Sequence, residues 1–107
     1  MKIKFFRGDD HQTRFKFINY SGPIDTVYFT VRNNYRELVI TKSLGNGIEK
    51  SGDYYVITFT PEDTDNLSVF LEMTYDIEII INGKKYTIAK DDFILEEDIT
   101  RPTEEVD

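Results

Sequence analysis

The chain has no cysteine, which excludes a disulfide framework and any thiolate metal site. It has one histidine, so a metal or general-base site built on it would need its partners from other residue types elsewhere in the chain. Basic residues are outnumbered, with 13 Lys and Arg against 20 Asp and Glu, giving a net charge of −7. That balance argues against an electrostatic grip on nucleic-acid phosphate and against docking on an anionic membrane. The start, MKIKFFRGDD, carries two lysines but no apolar run long enough for a signal peptide, and nothing approaches a membrane span. No glycine-rich phosphate loop and no nucleophile-elbow motif is present, and Ser21, Ser43, Ser51 and Ser68 all fall in turns or connections.

What is abundant is strand-forming material. Eight Phe and seven Tyr, set among β-branched residues, suit half-buried strands better than helices. The clearest local signal is Asn82-Gly83 between YDIEIII and KKYTIAK. Asn-Gly favours a type I′ hairpin turn, which needs positive φ at both central residues. The register that follows sets Ile81 opposite Lys84, Ile79 opposite Tyr86 and Ile77 opposite Ile88. Tyr75, Ile77, Ile79, Tyr86 and Ile88 then share a dry face, and Asp76, Glu78, Lys85 and Thr87 a wet one, with Ile80 its only apolar member. A slip of one residue would expose the whole apolar set.

The same period of two runs through the rest of the chain. Strands are expected at Lys2 to Arg7, at Thr13 to Tyr20 with Phe15 and Phe17 alternating with Arg14 and Lys16, and at Asp25 to Arg32. In the last of these Val27, Phe29 and Val31 point inward and Tyr28, Thr30 and Arg32 outward. Leu38 to Ser43 reads as a strand with Leu38 and Ile40 inward. Ile48 is expected to tuck under its loop, and Tyr55, Ile57 and Phe59 form one more inward face. Pro61 ends that strand because it has no amide to donate. Residues Pro61 to Leu67 make a corner in which Asp63 or Thr64 caps a turn and Leu67 plugs the core end. After the hairpin the parity of Phe93 and Leu95 is wrong; a β-bulge at Lys90-Asp91-Asp92 would restore it, the alternative being a separate short strand after a turn. Residues 99–107 read as an acidic, flexible tail. About seven strands with regular turn signals predict one all-β domain over residues 1–98, an antiparallel two-sheet sandwich, with a small barrel as the main competitor.

Candidate sites are few. Arg7-Gly8-Asp9 matches a tripeptide used by some integrin ligands, but a strand-to-strand turn is required there anyway. Asp9, Asp10 and His11 would need distant partners to bind a metal. Asp63 and Asp65 have the alternating spacing of a calcium loop, without its glycine or its distal glutamate. The pairs Asp91-Asp92, Glu96-Glu97-Asp98 and Glu104-Glu105 lack the one-buried, one-solvated asymmetry that acid–base work needs. No catalytic, cofactor-binding or metal-binding residue is predicted. Tyr28, outward on its strand, and Tyr20 and Tyr35, at strand ends or in loops, are the candidate interface residues. Such tyrosines can anchor a protein partner or stack on a sugar.

Taken together, KFFRGDDHQTRFKF, VYFTVRN, GDYYVITFTPEDTDNL and TYDIEIIINGKKYTI resemble a known group. They are similar to small prophage-encoded proteins of low-GC Gram-positive bacteria (Firmicutes) related to the N-terminal immunoglobulin-like domain of phage baseplate upper proteins. The resemblance runs from about residue 2 to 98. It implies an immunoglobulin-like sandwich that serves as a tail- or baseplate-associated part of a virion, made in the host cytoplasm. It implies contacts with other phage structural proteins, a homo-oligomer as one possible state, and no catalytic residues. The alternative reading from the residues is a carbohydrate-binding or adhesion module built on the surface tyrosines.

Overall fold

In the computed structural model, residues 1–18 and 23–97 are described. Tyr20 and the expected tail at 99–107 lie outside them. Eight strands form: β1 (Ile3–Phe6), β2 (His11–Phe15), β3 (Thr26–Asn33), β4 (Leu38–Leu44), β5 (Gly47–Ser51), β6 (Tyr54–Phe59), β7 (Met73–Ile81) and β8 (Lys84–Glu96). One helical turn, α1 (Pro61–Thr64), is the only helix among the described residues. The strands join in a single sheet of order β1-β8-β7-β3-β4-β5-β6-β2. The protein is therefore all-β. It differs from the expected antiparallel two-sheet arrangement of about seven strands in its continuous hydrogen bonding and in the parallel pairing of β1 with β8 and of β4 with β5.

The sheet turns over where β4 passes into β5. Gly45 and Gly47, at φ +88° and +94°, let the chain coil once, and β4 and β5 share only two rungs, Ser43 with Gly47 and Leu44 with Ile48. Beyond that coil the chain leaves β3 and takes up β6. The two halves of the sheet then face each other across aromatic rings. Phe59 of β6 lies 5.6 Å from Phe29 of β3 and 5.7 Å from Phe93 of β8. Phe5 of β1 reaches Phe59 at 5.2 Å and stacks on His11 of β2 at 4.5 Å, so the two ends of the strand order nearly meet. Offset and edge-on ring pairs of this kind add to the burial term that drives the fold.

The alternation expected for β3, β6 and β7 holds: Val27, Phe29, Val31, Tyr55, Ile57, Phe59, Tyr75, Ile77 and Ile79 are all buried, as is Ile48 beneath its loop. The hairpin turn is as the sequence requires, with φ +52° at Asn82 and +75° at Gly83. Ile81 pairs with Lys84 and Ile79 with Tyr86.

Four local expectations need correction. The bulge falls at Ile88, earlier than Lys90-Asp91-Asp92: Ile77 pairs with Ala89 while Glu78 pairs with Thr87. The extra residue resets the parity before Phe93 and Leu95, which are buried, and leaves Ile88 half-buried. Tyr86 is exposed because β1 flanks β8 only over Phe93–Glu96, so the hairpin tip lacks that neighbour. Leu38 is exposed rather than inward, because a second register shift pairs Arg32 with Leu38 directly after Val31 with Ile40. The strand expected at Thr13 to Tyr20 starts two residues earlier and stops at Phe15; Phe17 packs instead on Phe15 and Tyr55.

The corner behaves as its residues suggest. Asp63 Oδ2 accepts from the Thr60 amide at 2.8 Å and from Lys42 Nζ at 2.7 Å. Thr64, fully buried, accepts the Gly8 amide on its Oγ1 at 2.8 Å, and the Leu67 carbonyl accepts from Arg7. These bonds tie the turn between β1 and β2 to α1. Leu67 itself is half-buried against the core.

Candidate functional site

The outward face of β3, β7 and β8 carries rows of polar and charged residues. Its rows follow from register. Tyr28 pairs with Glu78, Thr30 with Asp76 and Arg32 with Thr74 across β3 and β7. Asp76 pairs onward with Lys90, and Thr74 with Asp92, across β8. All these residues face outward because their neighbours Phe29, Val31, Tyr75 and Ile77 are held in the core. The turn between β3 and β4 closes one end, where Asn33 Oδ1 accepts the Tyr35 and Glu37 amides at 2.9 and 3.0 Å.

A hollow of about 520 Å3 opens on this face, lined by Thr30, Arg32, Asn33, Arg36, Asp76 and Lys90 together with Thr74 and Tyr75. Three cations and one carboxylate therefore share it, in a chain whose net charge is −7. Arg32 is held by the Arg36 carbonyl at 3.0 Å, with Arg36 itself at φ +64°. Asp76 Oδ1 is buried and has no hydrogen-bond donor among the described residues. Its carboxyl is held above the ordinary range, first by burial and then by the charge of Glu78, despite the opposing pull of Lys85, Arg32 and Lys90.

Tyr28 and Tyr35 are 43% and 69% exposed. They do not form one platform. Five residues of strand at roughly 3.3 Å each separate Tyr28 from the end of β3, beyond which Tyr35 sits in the turn. Tyr28 is instead the outward neighbour of Thr30, at the margin of the hollow.

The other sequence candidates have structural partners. Arg7 bonds the Leu67 carbonyl, and a Cβ at Gly8 (φ +83°) would lie 2.8 Å from Asp65 Oδ1. His11 stacks on Phe5 and meets Thr13 Oγ1 at 3.1 Å, and burial holds its pKa below the ordinary value. Asp63 serves the corner, while Asp92 lies 3.7 Å from Lys2 Nζ. Among the described residues no group of three or more His, Asp or Glu is placed to hold a metal, and no helix is long and apolar enough to cross a membrane.

In the sequence, Arg32 and Asp76 read only as outward residues on two separate strands, and Lys90 only as part of the expected bulge. Pairing β3 with β7 across more than forty residues is what brings them together. No protein-family profile matches the chain, and no curated protein does. Among solved structures, it is similar to a crystal structure of a "putative glycoside hydrolase" from Bacteroides vulgatus ATCC 8482, with 20% identity and a TM-score of 0.44. That match covers 88% of this chain but 16% of the other, so the chain spans a small part of that protein's length.

Proposed function

We propose that this protein is a non-enzymatic structural part of a phage or prophage particle, associated with the tail or baseplate and acting through protein–protein contacts. Its partners are then other phage structural proteins, with neither nucleic acid nor membrane as a ligand, and its location is the virion. The sequence resemblance over residues 2 to 98 suggests the setting. The observation that carries the reading is the β3–β7–β8 face: an outward sheet surface bearing an exposed tyrosine, two arginines and a lysine around a hollow. Tyr and Arg are the residues that protein interfaces favour. In the same reading the two halves of the folded-over sheet are the two layers of an immunoglobulin-like sandwich, joined at the Gly45–Gly47 coil.

The test is co-sedimentation with particles induced from the host, together with the gene neighbourhood. Presence in the particle band at fixed stoichiometry supports the reading. A protein confined to the soluble fraction, with its gene among metabolic enzymes, would refute it.

A second reading, a carbohydrate-binding or adhesion module, draws on Tyr28 standing beside Thr30 and the donor-hungry Asp76. An aromatic face next to a polar row is what stacking and hydroxyl recognition need. Glycan-array binding that Tyr28→Ala abolishes is its expected signature, and an array without signal rejects it.

A further inference from the structure

We infer that the hollow on the β3–β7–β8 face is the docking site for an acidic segment of a partner protein. Its carboxylates sit among Arg32, Arg36 and Lys90. This rests on the protein-contact reading above and deepens it by naming the chemistry of the partner.

Charge comes first. Two nearby carboxylates already have cationic partners: Glu78 meets Lys85 at 3.2 Å and Asp92 meets Lys2 at 3.7 Å. Among the described residues, no carboxylate lies within ion-pair distance of Arg32, Arg36 or Lys90, and Asp76, although Lys90 is its cross-strand neighbour, pairs with neither flank. Pinning Arg32 to the Arg36 carbonyl keeps its guanidinium beside the turn. The result is a local excess of positive charge on a chain of net −7. An acidic partner is repelled by most of such a surface and steered to this one place.

Two further observations narrow the ligand. The three cations come from β3, the β3–β4 turn and β8, so a run of carboxylates on one segment matches them better than a single small anion. A neutral glycan would leave all three unmatched. The strands under the hollow also matter. β3 and β7 are paired on both edges, so a partner cannot add a strand here and must reach in with side chains.

The experiment is an NMR titration of the full chain with a blocked hexaglutamate peptide, with neutral chitohexaose as the comparison. The expected result is that the peptide shifts the amides of Thr30 to Arg36, Thr74 to Asp76, and Lys90. Lys90→Glu, an exposed position that leaves the core untouched, should weaken binding about fivefold, since an exposed ion pair is worth up to ~1 kcal/mol and reversal turns it into repulsion. Asp76→Asn, which keeps an acceptor and removes the one anion, should tighten it about twofold. No shift at these amides, or an affinity that Lys90→Glu leaves unchanged, overturns the inference. So does chitohexaose shifting the same amides with Asp76→Asn abolishing the effect. Particle co-sedimentation separates this claim from the one beneath it. If wild type and Lys90→Glu co-sediment equally, the docking site falls and the particle reading stands; if wild type stays soluble, the particle reading itself falls.

Discussion

Lys42→Met should destabilise the protein by about 2 kcal/mol at neutral pH. Lys42 Nζ lies 2.7 Å from Asp63 Oδ2, and the two side chains are only 13% and 22% exposed. Breaking a fully buried pair by removing one partner costs about 3–5 kcal/mol, and an exposed pair contributes about 0–1 kcal/mol. Covering that is nearly but not wholly complete puts this pair between those limits. Methionine keeps the stem, which runs under Gly47, where an added Cβ would meet Lys42 Cδ at 2.4 Å, so the loss is mainly the charge. Asp63→Asn retains an acceptor for the Thr60 amide and should cost less, about 1 kcal/mol. In a double-mutant cycle the pair should show coupling of about 1 kcal/mol. The pH dependence is a separate check. Burial works to raise the Asp63 carboxyl, but the bonds from Lys42 and Thr60 and the Lys42 charge outweigh it and hold the group below its ordinary range. Its contribution is therefore fully present above the unfolded value of about 3.9 and lost as pH falls through the lower folded value. Urea denaturation followed by circular dichroism from pH 7 to pH 2 reads both effects. Additive single substitutions, with an acid slope that Asp63→Asn leaves unchanged, would refute the reasoning.

Asp76→Asn should stabilise the fold by about 0.5–1 kcal/mol at pH 7, because a carboxyl held above its ordinary range penalises the folded state once ionised. The gain should vanish near pH 3, where both states hold the proton, and denaturation at the two pH values checks it. Gly8→Ala should cost at least about 1 kcal/mol, since the residue sits at φ +83° and its new Cβ would press on Asp65; thermal melts that match wild type would contradict this. Phe59→Ala, which empties the centre of the ring cluster, should cost about 3–5 kcal/mol and lower the denaturation midpoint accordingly. His11→Phe should remove stability loss below about pH 6.5, because the half-buried imidazole, stacked on Phe5, resists charging in the folded state.

The sequence by itself determined the parts of this protein that depend on neighbours in the chain. Alternation set the inward faces of β3, β6 and β7, since a strand offers its two sides in strict turn. Asn82-Gly83 set the hairpin turn and its first rungs, because few other residues accept positive φ twice in a row. Pro61 to Asp63 set the corner. What the tertiary structure decided was everything that depends on which strand lies beside which. The bulge moved to Ile88, and Leu38 turned outward at a shift opposite Val31 and Arg32. Both answer to packing across the sheet, which local spacing cannot encode. The parallel partner of β1 lies ninety residues away. The hollow belongs to the same category: Arg32 and Asp76 were legible as outward residues, and Lys90 only as part of the expected bulge. Their juxtaposition arises only where β3 and β8 flank β7, because hydrogen-bond register, and not sequence distance, fixes which side chains share a row.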